Sequence, residues 1–127
     1  MPRSVFAALL LVVVPLALCG KRVLGQSAPE GPVHAVTHVD FMPDHLQAVS
    51  ELERYVAEER RDPKVEGVEL LQQIGAGNHF TLIETFHDMA AYNAHTEAQS
   101  TRRFRAGIVD ALGSPFDERL FRDHATR

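Results

Sequence analysis

The chain has 127 residues, with 13 lysine or arginine and 17 aspartate or glutamate side chains, and its net charge near neutral pH is −4. Residues 1–25 hold three of the basic side chains and no acid, so the remainder carries −7. An acidic domain of about a hundred residues can bury one modest core and is a poor partner for nucleic acid or an anionic membrane. The single cysteine, Cys19, leaves no disulfide or cysteine-based metal site for the rest of the chain.

The N-terminus has the pattern of an export signal. A basic start at Arg3 is followed by an apolar run over residues 5–19, interrupted by Pro15. As a helix this run would reach only ~22 Å, short of a ~30 Å hydrocarbon core. Small residues follow as far as Ala28. We therefore predict a signal peptide over residues 1–25, cleaved near 25–28, and a periplasmic or other extracytoplasmic location.

Two other interpretations of the same segment remain. Lys21 and Arg22 follow the apolar run directly, as they would in an uncleaved membrane anchor formed by residues 4–19. This anchor would be the chain's one contact with a membrane. A lipid attached to Cys19 is disfavoured, because Leu18 is bulky where such signals carry a small residue.

Hydrophobic periodicity divides the rest of the chain into a polar linker, residues 26–32, and one domain, residues 33–124. Residues 33–41 alternate and are rich in β-branched side chains, which predicts a strand. Asp44, with Gln47 three positions later, predicts an N-cap. The following apolar residues recur at helical spacing, so we expect an amphipathic helix over 44–60.

The second half repeats strand and helix patterns in a different order. Strands are predicted over 65–74 and 79–87, joined by a hairpin turn at 75–78. Asp88 is suited to cap a second helix starting at Met89, and the apolar stripe of this helical region ends at Gly113. Residues 116–123 alternate as a last strand. The order β-α-β-β-α-β predicts an α+β, ferredoxin-like fold.

In such a unit both helices cover one face of the four-stranded sheet. Phe80, Leu82 and Phe86 share the face of the third strand that we expect under the helices. The alternate residues of that strand, including Ile83, make the other face too apolar to be left in contact with water. A second subunit is the simplest cover, so we expect a homodimer.

Three segments, in order, resemble the antibiotic biosynthesis monooxygenase family, which includes quinol monooxygenases. They are the acidic-Pro stretch with Gly at 62–70, the acidic-x-aromatic ending of the third strand at 83–88, and the Ala-His motif at 94–97. The resemblance covers roughly residues 33–124. It implies a dimeric α/β barrel. Phe86 stands where tryptophan is common in the family, and because it would border the pocket, the substrate stays open.

The resemblance also implies a chemistry that uses neither a metal nor an organic cofactor. A small phenol, quinol or anthrone is deprotonated, and its anion reduces O₂ directly. The protein must then bind a flat apolar molecule, remove a proton and stabilise negative charge.

Three residues are candidates for proton transfer. His95 corresponds to the histidine of the family's second helix, and histidine titrates near neutrality. Glu84 shares a strand face with apolar residues, and a carboxylate there needs a hydrogen-bond partner or a functional role. His38 could point into the same cavity, and His34 is a weaker candidate. Each could instead have a purely structural hydrogen bond.

Phe86, Tyr92 and Phe104 are candidates for substrate contact, although core packing would explain them as well. The arginines at 102, 103 and 105 suit a solvated helix face, dimer salt bridges or anion binding. We expect no metal site, because His34 and His38 would lie ~13 Å apart along a strand.

The sequence thus favours an exported, cofactor-independent monooxygenase acting on a small aromatic or quinol-type substrate. A non-catalytic dimer that binds a small ligand and an isomerase-like protein that handles a reactive metabolite are the alternatives on the same scaffold.

Overall fold

The computed structural model describes residues 31–124. The predicted signal peptide, residues 1–25, lies outside the described residues. Within the described range, no helix has the length and apolar character needed to cross a membrane.

Four strands form one antiparallel sheet. They are β1 (Val33–Asp40), β2 (Gly67–Gln72), β3 (His79–Phe86) and β4 (Asp117–Arg122), and their order across the sheet is β2-β3-β1-β4. Three α-helices connect them: α1 (Val49–Glu59), α2 (Met89–Glu97) and α3 (Gln99–Ile108). The predicted α+β, ferredoxin-like fold is confirmed.

The register separates the side chains of the sheet into two faces, because paired residues point to the same side. In β1, Val33, Ala35, Thr37 and Val39 are buried beneath the helices, and in β3 the matching residues are Phe80, Leu82, Glu84 and Phe86. We call this the inner face. The intervening residues form the outer face and are half-buried or exposed.

The core lies between the inner face and the helices. Leu52 and Val56 of α1 and Phe104 and Ile108 of α3 are buried in it. The spacing of four positions within each pair places both side chains on one side of their helix. The sequence prediction that Phe80, Leu82 and Phe86 face the helices agrees with their burial.

Two boundary predictions were wrong at the first helix. Asp44 is not an N-cap: its carboxylate contacts the His45 ring at 2.9 Å, and a short 3₁₀ turn, Leu46–Ala48, precedes α1. The helix therefore starts at Val49 rather than 44. A single hydrophobic stripe continues through a 3₁₀ turn and an α-helix alike, so the periodicity could not separate them.

The second helical region is also divided. Ala98 has extended backbone, with φ −61° and ψ 143°, and separates α2 from α3. A 3₁₀ turn, Val109–Ala111, follows α3 and has Leu112 as its C-cap. Gly113 therefore stands directly after the helical region, as predicted, and its N–H donates to the Asp40 carbonyl at 2.7 Å. Leu112, which the stripe placed in the helix, instead forms a β-bridge with Phe41. The cap predicted at Asp88 is confirmed, since its carboxylate accepts from the Ala91 N–H.

Candidate functional site

Five polar side chains from four elements meet in the interior between the sheet and the helices. Tyr55 and Glu59 lie four positions apart on α1, so they project from the same side of that helix. Glu84 lies on the inner face of β3, and His95 lies in the last turn of α2. Thr101 of α3 completes the group. All five are at most 5% exposed, and we call them the acid–base cluster.

The contacts in the cluster form a chain between two carboxylates. The Tyr55 hydroxyl donates to Glu84 Oε1 at 3.1 Å and lies 3.0 Å from His95 Nε2. His95 Nδ1 lies 3.3 Å from Glu59 Oε2 on the other side of the ring. Glu84 Oε1 is also 3.5 Å from His95 Nε2. The order is therefore Glu59, His95, Tyr55, Glu84.

Burial changes the proton affinity of each member. Loss of hydration raises the pKa of Glu84 to about 7, and the nearby charge of Glu59 adds to this effect. Burial likewise raises the pKa of Glu59 to about 7, with Asp62 and Glu58 contributing. Burial, followed by the charge of Arg105, lowers the pKa of His95. Both carboxyls therefore hold a proton more tightly than they would in water, and the imidazole holds one less tightly.

One buried oxygen of the cluster lacks a hydrogen-bond partner among the described residues. Glu59 Oε2 is buried and makes no hydrogen bond within the described residues, because its 3.3 Å contact with His95 lacks the alignment of one. An unsatisfied buried oxygen is costly when it carries charge. A proton on Glu59, donated to a bare His95 Nδ1, would relieve this cost after a small rotation. The cluster can therefore hold a proton at either end.

The donor types in the cluster also occur in metal sites. Ligand atoms of Glu59, Glu84 and His95 all lie within 4.8 Å of one another. This group was not predicted from the sequence, because the metal prediction considered histidine pairs along one strand. However, His95 directs its two nitrogens to different carboxylates, so one ion could replace only one of these contacts. Hydrogen bonding accounts for the geometry more completely.

A second polar group lies next to the cluster, at the β4 side of the sheet. Glu118 accepts from the Tyr92 hydroxyl at 2.6 Å, from Thr37 Oγ1 at 3.2 Å and from the Arg105 guanidinium. The Arg105 guanidinium also lies over the Phe116 ring, 5.9 Å from its centroid. Burial and the Glu118 hydrogen bond raise the pKa of Tyr92 to about 12. This group places the positive charge of Arg105 where it acts on His95.

Aromatic rings enclose the cluster. Phe86 lies between His95 and Tyr92, with ring centroids 4.8 Å and 5.7 Å away. Phe104 stacks on Tyr55 at 4.0 Å. Phe86 and Phe104 are buried in the core, whereas Tyr92 is half-buried. Of the three predicted substrate contacts, Tyr92 is thus the one nearest to solvent.

The structure brings together His95 and Glu84, as the sequence suggested, but not His38. The expectation that His38 could share their cavity needs correction, because β1 turns Thr37 inward and His38 outward. His38 is exposed and lies 3.1 Å from Thr81 Oγ1. His34, also on the outer face, contacts Thr85 and Asp123.

Sequence reasoning missed Tyr55, Glu59 and Thr101, as well as the second polar group around Glu118. A signal existed for one of them. Glu59 continues the helical stripe of Leu52 and Val56 at spacings of seven and three. A carboxylate at that position is buried unless the helix ends first. The inward direction of Glu118 depends on the register of β4 with β1, which the sequence does not specify.

The fold and the site together define a ferredoxin-like α+β domain with a buried acid–base cluster. The chain belongs to the antibiotic biosynthesis monooxygenase family, whose sequence profile matches residues 32–107. No curated protein gives a significant match.

Solved structures share the fold. Rv0793 from Mycobacterium tuberculosis is 18% identical, with a TM-score of 0.68, over 75% of this chain and 97% of its own. PA3566 from Pseudomonas aeruginosa is 24% identical, with a TM-score of 0.67, over 76% and 97%. A crystal structure named antibiotic biosynthesis monooxygenase is 17% identical, with a TM-score of 0.69, over 73% and 99%. At these identities the likeness establishes the fold alone.

Proposed function

We propose that this protein is a monooxygenase that inserts one atom of O₂ into a small aromatic or quinol-type substrate without a metal or organic cofactor. The observation that carries the proposal is the hydrogen-bonded chain of Glu84, Tyr55 and His95 with Glu59 at its far end. Groups with proton affinities near neutrality can both take a proton from a phenol and return it. The family supplies the reaction class.

The reaction balances with the substrate as the only reductant. Glu84 or His95 removes a proton from an activated C–H or O–H bond. The resulting anion gives its electrons to O₂, and a carbon–oxygen bond forms. The cluster returns its proton to the resulting peroxide anion. The O–O bond and the second C–H bond of the same carbon then break, which leaves one oxygen on carbon as a carbonyl and releases the other as water. Overall, R₂CH₂ and O₂ give R₂C=O and H₂O.

The neighbouring residues suit the other requirements. Phe86 and Phe104 offer apolar walls, and Tyr92 closes the side nearest to solvent. Arg105 supplies positive charge next to the cluster and would favour the substrate anion. Tyr92 and Arg105 both contact Glu118. We infer that they move away from Glu118 when a substrate enters, and that between turnovers their contacts with Glu118 keep water away from the cluster.

One observation favours a second candidate, a ligand-binding dimer without catalysis. The cluster is almost fully enclosed, with His95 and Glu84 side chains only 4% and 3% exposed. A network sealed in this way can be purely structural.

Oxygen uptake separates the candidates. With a panel of quinols and anthrones, the proposed enzyme should consume O₂ and place one ¹⁸O atom from labelled O₂ in the product. Heat-denatured protein is the control for spontaneous oxidation. Binding without turnover would support the ligand-binding dimer, and turnover without O₂ uptake would support the isomerase-like alternative.

We also propose that the outer face of the sheet is covered by a second copy of the chain. Val36 and Ile83 lie at its centre as a directly paired couple, and Leu71 and Phe121 are each about half exposed on it. Sedimentation should give twice the monomer mass at micromolar concentration. Ile83→Lys should lower the mass to that of a monomer, whereas Arg103→Ala on the exposed side of α3 should not. A wild-type monomer would contradict this.

Export is the third part of the proposal, and it rests on the apolar run at residues 5–19. Protein purified from its native source should begin between residues 26 and 28. N-terminal sequencing is the measurement, and a chain that begins at residue 1 would favour the anchor instead.

A further inference from the structure

An apolar depression opens at the β4 edge of the sheet, outside the acid–base cluster and the second polar group. Its volume is about 190 Å³, and its walls are Val33, Met89, Leu120, Phe121 and Arg122. Leu120 points to the same side of the sheet as Val33 and Arg122 and is 42% exposed, whereas the side chain of Phe121, at the next position, points to the outer face. The depression is large enough for one aromatic ring and too small for an extended ligand.

The one charged side chain among these walls is Arg122. The other arginines near β4 are matched by acids: Arg119 pairs with Asp117, and Arg105 pairs with Glu118. Within residues 31–124, Arg122 forms no ion pair. Asp123, its neighbour, is directed to His34 on the outer face. Arg122 thus presents an unmatched guanidinium beside an apolar surface, in a domain whose charge is otherwise acidic.

The depression adjoins the cluster through the register of the sheet. Val33 pairs with Phe86 on one side and with Arg122 on the other. Ala35, one inner-face position further, pairs with both Glu84 and Leu120. A ligand in the depression would therefore lie one or two strands from Phe86 and Glu84. Met89, the first residue of α2, forms the opposite wall.

We propose that this depression binds a small aromatic carboxylate, with its ring against Leu120 and Met89 and its carboxylate on Arg122. A guanidinium offers two parallel N–H donors that match the two carboxylate oxygens. Apolar walls and a single cation select an amphipathic anion over both a neutral aromatic and a free inorganic anion. The site stands independently of the proposed oxygenation, for which it would hold an acidic substrate beside the cluster.

The test compares salicylate with neutral salicylamide, using equilibrium dialysis against the full chain. Salicylate should bind saturably and salicylamide at least about tenfold more weakly, since one charge-assisted pair is worth about 1.4 kcal/mol or more. Arg122→Gln should weaken salicylate about tenfold and leave salicylamide unchanged. Met89→Glu, which puts a carboxylate on the opposite wall, should abolish salicylate binding.

Arg119→Gln is the matched control, because it removes a positive charge from the same strand but on the outer face. It should leave salicylate binding unchanged. Equal affinity of wild type and Arg122→Gln would overturn the proposal, as would loss of binding in Arg105→Gln alone, which would place the anion at the second polar group. Salicylate binding, together with no O₂ uptake for any quinol or anthrone of the panel, would support this site and contradict only the oxygenase function.

Discussion

Replacing His95 with alanine should lower kcat/KM by about 10²–10⁴, the usual contribution of a positioned general base. His95 is the one member of the cluster that contacts both ends of the chain, through Nδ1 to Glu59 and Nε2 to Tyr55 and Glu84. Its removal breaks the route by which a proton moves between the two carboxyls. The measurement is kcat/KM for the substrate identified by O₂ uptake, recorded with the melting temperature.

Stability must be measured alongside activity, because His95→Ala also leaves buried polar groups without a hydrogen-bond partner. Losing a buried hydrogen-bond partner costs on the order of 1–3 kcal/mol. His87→Ala is the control: this histidine is 80% exposed, and its Nδ1 lies 3.1 Å from Glu66 Oε1. If His95→Ala melts early but keeps near-normal activity per folded molecule, His95 is structural and its catalytic assignment fails.

The free energy of unfolding should fall as the pH rises from about 4.5 to about 7. Burial raises the pKa of Glu59 and Glu84 from the ordinary value of 4.5 to about 7. In that window the folded protein holds protons that the unfolded chain has released, so each step in pH favours unfolding. Because one pKa unit corresponds to about 1.4 kcal/mol, a shift from 4.5 to about 7 makes the loss on the order of 3 kcal/mol for each carboxyl.

His95 has the opposite effect on the pH dependence of the free energy of unfolding. Its pKa is lowered from 6.5 by burial and by Arg105, so its contribution to stability rises with pH up to about 6.5 and then stays constant. Two carboxyls outweigh one imidazole, so the decline should persist across the window, and His95 should only reduce its slope below pH 6.5.

Urea denaturation across this pH range measures the slope directly. Glu59→Gln should flatten it, because an amide does not titrate. Glu51→Gln, which removes an exposed carboxylate paired with Arg54 on the same helix, should leave the slope unchanged. A stability that increases steadily through the window, or an unaltered slope in Glu59→Gln, would show that the cluster is not protonated as inferred.

Much of the domain was predictable from local pattern. Alternation in β1 and β3 identified the strands, and Phe80, Leu82 and Phe86 were assigned to the correct face because side chains alternate strictly along a strand. The Asp88 cap was predictable because a carboxylate at that position satisfies a free helix N–H. The helix boundaries were predicted less accurately where one apolar stripe continues through different helix types, as at residues 44–48 and 109–112.

The site was only half predictable for a related reason. His95 was predicted as a site residue because it lies in a family motif, and Glu84 because it lies on an apolar strand face. Glu59 and Tyr55 were not predicted. A helix of this kind usually ends in solvated charged residues, and only its packing angle decides whether the last turn is buried. His38 was assigned a role that its strand face does not allow.

By itself, the sequence determined the order of strands and helices, the apolar stripes, the family and the presence of a histidine and a carboxylate in its characteristic segments. These depend on periodicity and on short motifs, which act over a few neighbouring residues. Only the tertiary structure decided that Glu59 and Tyr55 of α1 meet Glu84 of β3 and His95 of α2. Such a meeting depends on strand register and helix docking, and both are set by the packing of the whole core rather than by any local stretch.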